Sequence, residues 1–146
     1  MLTESARMSS AAEARFRIQT PLPTTRAVKV IPLDPDSDRV VAGLARGAWN
    51  GVAFFTASAL VDLVDEVATA DLVVMVTTAG ADAHAAAIIG EACSGRRVPT
   101  ATFVVGAASG TDEALSKTLA QVRPWSLMVV IAGDDDYVEE ILRSFR

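Results

Sequence analysis

A single cysteine, Cys93, stands in the chain, so no internal disulfide can form and a CxxC-type metal site is excluded. There is one histidine, His84, so any histidine chemistry has to run through that residue. Aromatic residues make up only 5%, which leaves Val, Ala, Leu and Ile to fill the interior. Cations are also in short supply, with 13 Lys and Arg against 18 Asp and Glu, for a net charge of -5. General nucleic-acid binding needs clustered cations that displace counterions, so that class is set aside. No apolar run reaches the roughly 18 residues that a membrane-spanning helix requires, and no membrane partner is expected. The opening "MLTESARMSSAAEARFRIQTPLPTT" lacks the apolar core of a secretory signal. The chain therefore reads as cytoplasmic.

What remains is an ordinary globular composition tilted toward apolar, 51% hydrophobic and 21% charged over 146 residues. That length suits one domain with a real core. Residues 1–25 read as a mobile or loosely docked arm, in which "RFRIQT" alternates in character and could add an edge strand across a dimer. Residues 26–146 read as a single domain. In it, "RAVKVIPL", "GVAFFTA", "DLVVMVTT", "VPTATFVVG" and "WSLMVVIAG" are strand-like. "SDRVVAGLARG", "SALVDLVDEVATA", "DAHAAAIIGEAC", "TDEALSKTLAQV" and "DDDYVEEILRSF" follow them with helical spacing. "DLVVMVTT" is apolar at successive positions, as expected of a strand covered on both faces. Strict alternation of strand and helix forces parallel pairing with right-handed crossovers. The expected fold is a three-layer α/β sandwich with a five-stranded parallel sheet, Rossmann-like or flavodoxin-like.

In such sheets ligands bind beyond the carboxyl ends of the strands, near the point where the strand order reverses. Four turns on that edge hold the candidate residues. "TTAGADAH" offers the hydroxyls of Thr77 and Thr78, a flexible Gly80, and Asp82 and His84 at a helix start. Free N–H groups there attract anions. The competing reading is a tight turn capped by Asp82. His84, in the first helical turn, is a weak catalytic candidate that could polarise a carbonyl if kept neutral. The alanines behind it let the helix approach the sheet closely. "GAASGTDEA" offers Ser109, Gly110 and Thr111, with Thr111 equally suited to cap the next helix.

Two turns are acidic. "LDPDSDR" places Asp34, Asp36 and Asp38 at alternate positions, a pattern that oxygen-coordinated cations use. Asp34 to Arg39 resembles the magnesium loop "DPDADR" of phosphohexomutases, which implies Mg²⁺; the competing reading is an acidic helix cap by Asp36 or Asp38. Asp134, Asp135 and Asp136 open the last helix, where acids are stabilising by themselves. Asp34, Asp36 and Asp134 are the weak metal candidates. A receiver-domain reading fails because Thr77-Thr78 and Gly133 stand where its Asp and Lys belong. Lys29 and Arg39 are single cations that could face an anion. Cys93 reads as core packing, and Trp49 and Trp125 as cover for the core at the opposite edge.

The later turns carry a family resemblance. "DLVVMVTTAGADAHAAAIIGEA … VPTATFVV … VRPWSLMVVIAGDDDYVEEIL" looks like the nucleotide-binding half of the tubulin-like bacterial cell-division GTPases. In that family a strand ending in "TAG" leads to a glycine-rich phosphate loop and an Ala-rich helix. That loop corresponds here to Gly80 to Ala86, "GADAHAA", without the family's threonine and most of its glycines. The resemblance thus implies a nucleotide-type sheet whose phosphate loop has been rewritten. Sugar-phosphate isomerase-type domains also place Ser/Thr and Gly after a strand, as "VTTAGADAH" does.

The sequence names no cofactor. The leading expectation is a module that binds a small anionic ligand or a protein partner at the carboxyl edge of its sheet. Its alternative is a small Mg-dependent or His-assisted enzyme acting on a phosphorylated or carbonyl substrate. A third expectation is a structural subunit joined through the N-terminal arm, and a second copy of the chain is a candidate partner throughout.

Overall fold

The computed structural model describes residues 27–57, 65–107, 110–133 and 135–145. The expected N-terminal arm, most of the second helix, Ser109 and Asp134 lie outside the described residues. The rest is an α/β three-layer sandwich. Five strands, β1 (Val28–Pro32), β2 (Val52–Phe54), β3 (Leu72–Thr78), β4 (Thr100–Val105) and β5 (Met128–Ile131), form one all-parallel sheet in the order β2-β1-β3-β4-β5. The four described helices are α1 (Pro35–Ala45), α2 (Ala85–Gly95), α3 (Asp112–Val122) and α4 (Asp135–Ser144). Among the described residues no helix is long and apolar enough to cross a membrane.

The three inner strands carry the burial that their apolar runs require. β1 and β4 are buried at every residue, and β3 at every residue but its last. Alternation then splits their side chains between two cores. Ile31, Val73, Met75 and Val104 pack with Ala86, Ile89, Leu119 and Val122 of α2 and α3. Val28, Val30, Val74, Val76 and Phe103 pack with Val41 and Leu44 of α1 and Val138 and Leu142 of α4. The terminal strands are shorter and more open, with no fully buried residue in β2 or β5.

Helix starts follow local chemistry that the pattern only partly announces. α1 begins at Pro35, two residues before the expected start, because Asp34 caps it. The Asp34 carboxylate accepts from the Ser37 N–H at 2.9 Å, and Pro35 supplies the preset φ of a first helical position. The expected caps Asp36 and Asp38 stand inside the first turn instead. α2 begins at Ala85, later than the expected Asp82. α3 is capped as expected, with Thr111 Oγ1 accepting from Ala114 N–H at 3.1 Å.

The amino edge also departs in one place from the expected strands. Trp125 belongs to a single helical turn, Arg123–Trp125, and not to β5. Pro124 sits at the start of that turn, where its missing N–H costs nothing. Trp49, at the same edge, covers the α1 and α4 side of the sheet. Its ring meets Phe54 edge-on at 5.5 Å and lies under the Arg143 guanidinium at 4.0 Å.

Candidate functional site

With the order β2-β1-β3-β4-β5, the chain reverses direction across the sheet between β1 and β3. The crevice beyond their carboxyl ends is the place where such a sheet takes a ligand. Asp34 stands there, 6% exposed. Its Oδ2 accepts from Thr77 Oγ1 at 2.9 Å and from the Thr78 N–H at 3.0 Å. Its Oδ1 accepts from Thr78 Oγ1 at 2.9 Å and from the Ser37 N–H at 2.9 Å. A carboxylate offers about four lone-pair positions, so this one is filled. The structure thus joins residues singled out on two separate turns, Asp34 on one and Thr77 and Thr78 on the other. A charge buried this way is tolerated because every lone pair has a donor.

The turn after β3 is occupied in the same manner. Gly80 takes φ +88, a left-handed conformation that suits glycine, and its N–H donates to Thr118 Oγ1 of α3 at 2.9 Å. The Ala83 N–H donates to Gln121 Oε1, also on α3, at 2.8 Å. Gln121 Nε2 donates in turn to Asp82 Oδ1 at 2.9 Å, and the same oxygen accepts from the His84 N–H at 3.0 Å. The Ala79 and Ala81 N–H groups reach Val105 O and Thr78 O, at 2.8 and 2.9 Å. N–H groups at 79, 80, 81, 83 and 84 are therefore directed at protein oxygens. Asp82 acts as a brace between the turn and α3 instead of as the helix cap, and His84 is exposed.

The remaining candidates are more scattered. Thr111 spends its hydroxyl on the α3 cap, and the Gly110 N–H points at Ala107 O at 3.4 Å. Asp36 is exposed in the first turn of α1. Asp38 Oδ1 accepts from the Ala57 N–H at 2.8 Å and ties the segment after β2 to α1. Among the described residues no group of three or more His, Cys, Asp or Glu comes together to hold a metal ion. Lys29 is buried, with Nζ 3.0 Å from Glu66 Oε2 and 2.5 Å from both Glu66 O and Thr69 Oγ1. Arg39 is exposed on α1. Cys93 is 1% exposed, and burial pushes its thiol from 9.0 up to about 11, against a smaller lowering by Arg96. Such a thiol stays protonated near neutral pH and is a poor nucleophile.

Sequence reasoning passed over Thr118 and Gln121, which hold the Gly80 turn, because both sit mid-helix in "ALSKTLAQV" with no motif around them. Thr118 did carry a faint signal, as a polar residue on the otherwise apolar stripe of Leu115, Leu119 and Val122. It is 0% exposed.

Comparison with protein-family models and with curated proteins gives no match.

Proposed function

We propose that this chain is a non-catalytic assembly module that pairs with a second copy of itself through its outermost strand. The observation that carries this reading is β5. Its residues Met128, Val129, Val130 and Ile131 include no charge and no proline, and among the described residues only β4 neighbours it. Met128 and Ile131 remain 40% and 47% exposed. An edge of this kind presents unpaired backbone groups, and nothing in the strand guards against another strand docking. A neutral strand pairs with its own copy about a twofold axis without like charges meeting.

A small anionic ligand at Thr77, Thr78 and the Gly80 turn has weaker support, since it would have to displace bonds from Asp34, Thr118 and Gln121. Kinship with the tubulin-like GTPases likewise remains a proposal. On that reading the sheet was kept and the phosphate loop was turned over to internal hydrogen bonds. The decisive experiment is light scattering of the full chain across roughly 1 to 100 µM, because assembly follows mass action. A dimer that Ile131→Lys reduces to monomer, while Ala53→Lys on β2 leaves it intact, is the expected result. A monomeric parent over that whole range would sink the proposal.

A further inference from the structure

The sides of α3 are assigned by what they touch. Leu119 and Val122 are buried in the core, and Leu115 packs against it. The flank toward α2 carries Thr118 and Gln121, which hold the turn after β3. The opposite flank carries Asp112, Ser116 and Ala120, and continues to Arg123, the helical residue that ends α3. These four recur every three to four residues, so they line one side of the helix, and all are exposed. Because α3 joins β4 to β5 and β5 is the last strand, this flank looks outward past the edge of the sheet.

Charge is segregated along the flank. Asp112 stands at the carboxyl edge of the sheet with Glu113 beside it, and Arg123 stands at the amino edge. None of the three forms an ion pair with another described residue. A twofold axis perpendicular to the sheet runs two copies of β5 antiparallel. It keeps each α3 on the same face of the joined sheet, and it sets the carboxyl edge of one copy beside the amino edge of the other. A helix that joins neighbouring parallel strands lies over that pair of strands. The two α3 axes are then two strand spacings apart, about 10 Å, which is close to the distance between packed helices. Ser116 and Ala120, midway along the flank, are small enough for that approach. The symmetry brings Asp112 of each copy toward Arg123 of the other, so the flank is its own electrostatic complement.

We propose that α3 packs antiparallel against α3 of a second copy, with Asp112 of each copy meeting Arg123 of the other. The inference rests on the β5 pairing proposed above. It adds to the neutral strand a charged contact that fixes the direction of pairing and selects the partner.

The test measures the dimer Kd of the full-length chain by sedimentation equilibrium at low salt. Asp112→Lys alone sets cation against cation at both symmetric contacts, and Arg123→Glu alone sets acid against acid. Each should raise Kd by about tenfold, since two attractions become two repulsions. An equimolar mixture of the two variants should recover dimers with the parent's Kd, because in the mixed dimer every cation again faces an acid. Mixing cannot repair a folding defect within one chain, so the recovery separates contact from misfolding. Salt at about 0.5 M should narrow the gap between the parent and each variant. Single variants that dimerise as tightly as the parent would overturn the α3 contact, and so would a mixture no tighter than either variant alone. In that case a dimer still broken by Ile131→Lys leaves the β5 pairing standing and removes only the helix contact. A parent that stays monomeric throughout overturns both.

Discussion

The two edges of the sheet solve the problem of loop ends in opposite ways. At the carboxyl edge, polar groups from distant turns meet and saturate one another around Asp34 and around Gly80. At the amino edge, the turns before β4 and β5 leave an open apolar cleft, an exposed Leu127 and a left-handed Arg97 at φ 56. The rule that places ligands at the carboxyl edge describes where backbone N–H groups and helix starts converge. Among the described residues, the groups around Asp34 and Gly80 are met by the protein's own partners, and an open, partly apolar surface lies at the other edge. Position in a fold indicates where a site can form, and the hydrogen-bond ledger indicates whether it is still open.

Substitutions at each edge can break or sharpen this contrast. The largest effect is expected for Asp34→Ala. It strands the Ser37 and Thr78 N–H groups and two threonine hydroxyls in a buried place, at a cost of about 4 kcal/mol, readable by urea denaturation. Asp34→Asn should recover little of this, since an amide NH₂ would face donors on one side. A loss under about 1 kcal/mol would show that the carboxyl edge is held by packing and not by this network.

At the amino edge, Gly90→Ala should cost about 3 kcal/mol by overpacking. A Cβ built at Gly90 would overlap Trp125 Cβ, a backbone-adjacent atom that cannot swing aside. Shrinking the indole would not relieve that contact, so Trp125→Leu should fail to rescue it. A tolerated alanine would mean that the Arg123–Trp125 turn shifts freely, which would weaken any case for a preformed cleft. The smallest effect is expected for Arg97→Gly, a gain of about 1 kcal/mol in thermal stability. Arg97 occupies the left-handed position after α2, where a side chain is strained. A loss on that substitution would reveal that the arginine side chain holds something worth more than its strain.

Much of this architecture was legible in the sequence. The apolar run "LVVMVTT" indicated a strand covered on both faces, and alternation of strand and helix indicated an all-parallel sheet. Strand order was not legible, because a crossover helix permits a move to either side. Trp125 was read into a strand because an apolar run does not mark where a proline-led helical turn ends. The candidate site shows the deeper reason for partial legibility. Asp34, Thr77 and Thr78 were singled out because carboxylates and hydroxyls suit cations and anions. The same chemistry suits them to each other, and only a fold that brings positions 43 and 44 residues apart into contact reveals it. Likewise, no local motif could have tied Gly80 to Thr118, 38 residues away.

The Asp34 network carries one consequence for the life of the molecule. Proteins whose central crevice is completed by a metabolite become firmer or looser as that metabolite rises and falls. In this chain the negative group at the crevice is covalently attached and present in fixed stoichiometry from the moment of synthesis. The stabilisation that this carboxylate supplies is therefore intramolecular and does not follow the mass action of a free ligand.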